Sequence, residues 1–267
     1  MYDVITVGSA TVDALVRTEF CEMIHDKKQK ECIAYPAGSK ILMKELVLTT
    51  GGGGTNTAVA LARLGHKVAF VGKVGSKYNS SRVIKELKRE KVDTSLIIRS
   101  KTGRTGYSIV LDSKKHDRTI LTFRGSNNDL RFNEIRLKKL KTRWFYFSSM
   151  MEESFKTLEK LADYAQKNNI KIAFNISSYL AKKGKKFLGR ILKKTNILIL
   201  NKEEAGLLVG RGTIEAMLKK LIKLGPQIVA ITDGKNGVYV MHDNVIYYGE
   251  LHNVKVVETT GAGDAFA

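Results

Sequence analysis

Glu258-Thr259-Thr260-Gly261-Ala262-Gly263-Asp264-Ala265-Phe266-Ala267 is the stretch on which the reading of the fold turns. Two glycines around one alanine let the backbone take φ > 0 and approach a ligand closely. Ala265-Phe266-Ala267 reads as the opening of a helix. A glycine-rich loop running into a helix start aims several unpaired N–H groups at one point, with the helix dipole behind them, and so suits an anion such as phosphate. Asp264 would repel that phosphate as a ligand, but it can serve as base for a hydroxyl attacking the phosphorus. An ordinary glycine turn with Asp264 as a helix cap accounts for the same residues.

Working outward, Thr50-Gly51-Gly52-Gly53-Gly54-Thr55-Asn56-Thr57-Ala58-Val59-Ala60-Leu61-Ala62-Arg63-Leu64-Gly65 is a second glycine loop feeding a helix of small residues. No Gly-x-Gly-x-x-Gly can be spaced through Gly51–Asn56, and no Gly-Lys-Ser/Thr follows, which excludes a dinucleotide fingerprint and a nucleotide P-loop. The two stretches, GGGGTNTAVALARLG and ETTGAGDAFA, resemble the two signatures of the ribokinase-like (PfkB) carbohydrate kinase family. The order of segments between them also fits, so the resemblance spans nearly the whole chain. It implies an α/β fold, ribokinase-like, with three αβα layers, a central mostly parallel sheet and a small β-sheet lid. It further implies a single domain over 1–267, with the lid formed by about 14–49 and 95–124.

Composition agrees with a globular enzyme. At 267 residues, 43% hydrophobic and 27% charged, the chain can bury a sizeable core. No apolar run approaches the roughly eighteen residues of a membrane span, and no leader precedes the first strand, so a cytoplasmic protein is expected. Cys21 and Cys32 are too few and too far apart for a zinc site and read as reduced thiols. The 46 Lys+Arg against 26 Asp+Glu give +20. The lysines fall in helical blocks such as Lys182-Lys183-Gly184-Lys185-Lys186, without interleaved aromatics, and read as a solvated surface rather than a nucleic-acid groove.

In order, Val4-Ile5-Thr6-Val7-Gly8 reads as a buried parallel strand, with Asp13 just beyond its carboxyl end, where ligands of parallel sheets bind. Ala14–Arg17 and Lys44–Leu48 alternate like a hairpin flap around a polar excursion. Thr105–Leu111 and Arg118–Phe123 read as antiparallel strands on the same logic, with His116 in an exposed polar turn. After Gly72-Lys73-Val74-Gly75 the relatives carry an acidic pair where this chain has Ser76-Lys77, a swap expected near the substrate mouth. From Arg131 the pattern is βαβ: strands at Trp144–Phe147, Lys171–Asn175, Ile197–Leu200 and Ile228–Thr232, and helices over Glu152–Asn168 and Lys182–Lys194. Val238–Met241 and Val245–Tyr248 read as a hairpin.

The resemblance implies the following roles. Asp264 is the general base, and Gly261, Ala262 and Gly263 form the anion hole. Asp13, Gly52, Gly53, Asn56 and Thr105 meet the acceptor. Asn175, Asn201, Glu204, Thr232, Gly234 and Gly237 meet ATP, with Glu204 organising Mg2+, directly or through water. Asn201 and Glu204, spaced by three, are equally suited to a helix capping box. Relatives place Asp where this chain has Glu258, beside a monovalent-cation (K+) site. Relatives also continue beyond the helix begun by Asp264, so a C-terminal truncation is expected. The acceptor is then a sugar or a nucleoside, with a vitamin-like hydroxymethyl heterocycle or a non-catalytic sugar- or nucleotide-binding remnant as alternatives. A homodimer through the lid is a further expectation; membrane and nucleic acid are not expected partners.

Overall fold

The computed structural model describes residues 1–18, 22–25, 31–112, 118–251 and 261–267. Cys21, His116, Glu258, Thr259 and Thr260 lie outside the described residues. The chain begins with β1 (Tyr2–Val7), β2 (Thr11–Thr18), the hairpin β3 (Glu22–His25) and β4 (Glu31–Ala34), and β5 (Met43–Gly51). Then follow α1 (Gly53–Arg63), β6 (Val68–Val71), β7 (Lys73–Val74), α2 (Tyr78–Arg89), β8 (Ile98–Arg99), β9 (Gly106–Asp112) and β10 (Arg118–Phe123). Short 3-10 turns, the first at Gly125–Asn128, lead to β11 (Thr142–Phe147), α3 (Glu152–Lys167), β12 (Lys171–Asn175), α4 (Ser178–Ala181) and α5 (Gly184–Leu192). The remainder is β13 (Ile197–Asn201), α6 (Lys202–Val209), α7 (Ile214–Ile222), β14 (Ile228–Thr232), β15 (Val238–His242), β16 (Val245–Gly249) and α8 (Ala262–Phe266).

The large sheet has eight strands in the order β16-β15-β14-β13-β12-β11-β1-β6. Pairing is parallel from β14 to β6, and only the terminal hairpin runs antiparallel. Helices on both faces require strands buried on both sides: Ile5, Val7, Phe145, Phe147, Phe174 and Leu198 are fully buried on one face, and Tyr146, Ile199 and Ala230 are buried on the other. The β15–β16 turn places Asp243 and Asn244 at φ 47° and 62°. Those positive angles match the twist of a two-residue hairpin, and asparagine and aspartate tolerate them best among residues with a side chain. In α3, Phe155, Leu158, Leu161, Ala162 and Ala165 recur at helical spacing and face the sheet, while Glu152 and Glu153 favour its positive end.

A second sheet of four strands, in the order β10-β9-β2-β5, stands apart from the first. The two antiparallel pairs expected here, β2 with β5 and β9 with β10, are present. They join through β2 and β9, which run parallel because the connection between them passes through the large sheet and back. The small sheet also starts at Thr11, so Asp13 belongs to a strand, not to the loop leaving β1. The helix expected over 182–194 is α5, Gly184–Leu192; a separate single turn, α4, precedes it, with Gly184 at φ 81° after the junction. Leu46, Leu121 and Phe123 of the small sheet are about half exposed.

One buried charge ties these parts together. Lys73 is 4% exposed, and its ammonium donates to the Asp129 carbonyl (2.8 Å), the Asp129 carboxylate (2.9 Å) and Glu134 Oε1 (2.8 Å). Paired and hydrogen-bonded in this way, a buried cation is tolerated. Among the described residues no helix is long and apolar enough to cross a membrane.

Candidate active site

β1 ends in Gly8-Ser9-Ala10, and the chain there packs directly on the glycine loop. The Ser9 carbonyl accepts from Gly54 N at 3.2 Å, and the Ser9 hydroxyl oxygen accepts from Gly53 N at 3.2 Å. Gly52 takes φ 107°, and a Cβ there would lie 2.5 Å from the Ser9 carbonyl oxygen. Only glycine meets both conditions. A Cβ on Gly53 would come within 3.0 Å of Ser148 Oγ and 3.3 Å of Asp264 Oδ1.

Asp264 sits in the first turn of α8, after Gly261 in the left-handed region at φ 80°. Its carboxylate accepts from Asn56 Nδ2 at 2.8 Å, and its carbonyl accepts from the Thr57 hydroxyl at 3.1 Å. Burial pushes its carboxyl above the ordinary aspartate value; the Asn56 bond opposes this, and the charge of Asp13 adds to it. Beneath lies Tyr146, 2% exposed, whose phenol burial drives upward. The first N–H groups of a helix have no partner within it. Ala262 and Gly263 are exposed, and among the described residues nothing stands within 4 Å of a Cβ built on Gly263.

Asp13 belongs to the same group. Its Oδ2 lies 1.9 Å from where a Cβ on Gly51 would stand. Its Oδ1 is buried without a hydrogen-bond partner among the described residues. Asn56 and Gly53 thus stand against Asp264, and Asp13 is near enough to act on it through its charge. Asn56 turns its amide to Asp264, a contact the sequence reading reserved for a bound polyol.

Thr105 does not join them. It is 5% exposed, and its hydroxyl oxygen accepts from Gly75 N at 3.0 Å. Ser76-Lys77 lies near it: Lys77 lines a cavity with Arg104, Thr105, Tyr107 and Phe123. Tyr107 pairs with Val12, and Asp13 with Ser108, so this cavity faces away from Asp13 across the small sheet.

Asn201 and Thr232 are register partners at the carboxyl ends of β13 and β14. They line a cleft of about 500 Å³ with Lys202, Arg211, Asp233 and Gly234. Asn201 and Glu204 form a reciprocal capping box: Glu204 N donates to Asn201 Oδ1 at 2.8 Å, and Asn201 N donates to Glu204 Oε2 at 2.9 Å. The Ser178 hydroxyl donates to the other Glu204 oxygen at 3.3 Å, while burial raises the Glu204 carboxyl. With both oxygens engaged, Glu204 is poorly suited to ligate a metal directly. Among the described residues no cluster of three His, Cys, Asp or Glu could hold one. Gly237 is dictated by the hairpin, since a Cβ would lie 2.3 Å from the Gly249 carbonyl oxygen. Asn175 closes β12, and its carbonyl accepts from Ser149 Oγ at 3.2 Å.

Ser9, Thr57, Tyr146 and Ser148 around Asp264 were not singled out in the sequence. For Ser9 and Ser148 a signal was present: each is a small hydroxyl residue just past the end of an apolar strand, where parallel sheets bind ligands.

The pattern of the pfkB family of carbohydrate kinases matches residues 4–267. The chain is similar to an uncharacterized sugar kinase of Archaeoglobus fulgidus, 29% identical over 213 residues covering 78% of this chain and 83% of that one. It is 25% identical over 270 residues to the ribokinase of Staphylococcus aureus, covering 98% and 83%. The Arabidopsis thaliana ribokinase solved with ribose and ATP superposes with a TM-score of 0.81 at 20% identity, over 99% of this chain and 83% of that one. With that match running almost end to end, on a fold already traced strand by strand, the chain belongs to the pfkB family of carbohydrate kinases.

Proposed function

We propose that the protein transfers the γ-phosphoryl group of ATP to a hydroxyl of a carbohydrate, with Asp264 as general base. What supports this reading is the Asn56–Asp264 hydrogen bond, with the charge of Asp13 felt at Asp264, beside the Gly261–Gly263 start of α8. The Asp264 carboxylate takes the acceptor's proton as the hydroxyl oxygen bonds to the γ-phosphorus. The bond to the β,γ-bridging oxygen breaks, and ADP leaves with that electron pair. Backbone N–H groups of Gly261, Ala262 and Gly263 stabilise charge on the transferring group. Asp13 holds adjacent acceptor hydroxyls, as a carboxylate with a free oxygen suits. Asn56 orients Asp264 and borders the acceptor with Gly52 and Gly53.

On the donor side, Asn201, Thr232 and Gly234 line the 500 Å³ cleft that suits a nucleotide, with Asn175 and Gly237 at neighbouring strand ends. The nucleotide arrives as its magnesium complex, and Glu204 acts on it through the capped start of α6, not as a ligand. Within a single domain the small sheet acts as a lid that excludes competing water. Its exposed Leu46, Leu121 and Phe123 suit a second copy of the chain. A cytoplasmic location fits this dependence on ATP.

A screen of sugars and nucleosides with ATP and magnesium, read as ADP release, tests the proposal. Acceptor-dependent ADP release supports it. If no alcohol in a broad screen is phosphorylated while the sugars still bind, the protein is a binding remnant.

A further inference from the structure

The cleft of about 500 Å³ at the ends of β13 and β14 holds two cations, and only one of them is paired. Lys202 donates to Asp233 Oδ2 at 2.8 Å, so these two charges cancel across the cleft. The same bond holds the Asp233 carboxyl below its ordinary range. Glu203, exposed on the same lining, adds a negative charge. Arg211 is the remaining cation of the lining: it is exposed and has no ion-pair partner among the described residues.

The local backbone brings Arg211 to this place. α6 ends at Gly210, whose N–H donates to the Gly206 carbonyl at 3.0 Å and whose φ of 87° turns the chain. Arg211 follows at once, and its stem lies back over α6: a Cβ built on Gly206 would stand 3.3 Å from Arg211 Cγ. Glycine inside a helix is destabilising relative to alanine. Here it leaves room for the stem and for the cleft, since Gly206 is itself part of the lining. A long basic side chain so placed covers the helix with its methylenes and keeps its charged head in water.

We infer that Arg211 recognises the phosphate chain of the donor nucleotide. The inference rests on the kinase reading and names the residue through which this cleft gains affinity for a polyanion. With Arg211, the charges of Lys202, Glu203, Arg211 and Asp233 balance; without it the lining is net negative and repels a nucleoside triphosphate, which stays anionic with magnesium bound. A guanidinium suits the task because its planar fork bonds two phosphate oxygens side by side. Asn201, Thr232 and Gly234 offer uncharged donors in the same cleft.

The test titrates the protein by calorimetry with ATP and with inorganic tripolyphosphate, each with magnesium, as wild type, Arg211→Gln and Arg211→Lys. The wild type should bind both, since tripolyphosphate presents the phosphate chain alone. Arg211→Gln should weaken both by about tenfold, with partial recovery in Arg211→Lys. In steady-state ADP release the loss should fall on the KM for ATP rather than on the KM for the acceptor, a split that general damage to the fold would not give. A weaker grip on ATP with tripolyphosphate unaffected puts Arg211 at the base or the ribose and overturns the inference. Failure of tripolyphosphate to bind the wild type overturns it too. If Arg211→Gln keeps wild-type affinity while alcohols are phosphorylated, the inference falls and the kinase reading stands. If binding of both ligands depends on Arg211 and no alcohol is phosphorylated, the recognition stands and the kinase reading falls.

Discussion

The Asn56 side-chain amide donates to the Asp264 carboxylate at 2.8 Å, joining the first turn of α1 to the first turn of α8 across 208 residues. The bond holds one oxygen of the carboxylate and leaves the other beside Gly53. A base fixed in this way needs no reorientation when an acceptor binds.

Asp264→Asn keeps the shape and the contact with Asn56 but cannot take a proton. Phosphoryl transfer should fall by about 10²- to 10⁴-fold, the usual contribution of a general base. Nucleotide binding, followed by calorimetry, should persist.

The acid limb of kcat/KM reports the free-enzyme base. Because burial holds the Asp264 carboxyl above its ordinary value, activity should already fail at pH values above those where a solvated aspartate protonates. The Asn56 bond favours the charged form, so Asn56→Ala should move the limb to higher pH. A limb that stays fixed in the variant, in a pH–rate profile, would remove this role for Asn56.

Gly52 and Gly189 should respond to alanine in opposite directions. At Gly52 the positive φ and the close Ser9 carbonyl predict a loss of about 2 kcal/mol. Gly189 lies within α5 with nothing within 4 Å of a new Cβ, so Gly189→Ala should gain about 0.5–1 kcal/mol. Urea unfolding measures both.

Lys73→Met removes the cation shared by Asp129 and Glu134, leaving Asp129 its exposed pair with Arg131 at 3.2 Å. Since the Asp129 side chain is 49% exposed, the loss should be about 2 kcal/mol, below the value for a fully buried pair. The hydrogen bond from Lys73 holds the Asp129 carboxyl below its ordinary range. Its contribution is therefore present above the unfolded pKa and fades as pH falls from about 4 through the lowered folded value. The difference between variant and wild type in urea should narrow accordingly in acid.

Much of this arrangement was legible in the residues. The near-continuous apolar runs Val4–Val7 and Trp144–Phe147, broken only by Thr6, announce a parallel sheet, and the glycines at 52 and 53 announce a close approach. Other features depended on partners distant in sequence. Nothing in Thr105 tells that Gly75 will bind its hydroxyl. Whether Asn56 turns to a ligand or to Asp264 is decided by the packing of α1 on α8. Asn201 and Glu204 were readable as a capping box from their spacing alone, and they form one.

The position of β1 has a consequence for synthesis of the chain. Of the described strands of the large sheet it is made first, yet it lies between β6 and β11, so a growing chain pairs one edge early and waits for Thr142–Phe147 to cover the other. Until then an apolar strand edge stays open, a target for holdase chaperones or wrong partners. Slower translation between Val71 and Thr142 would lengthen that exposure.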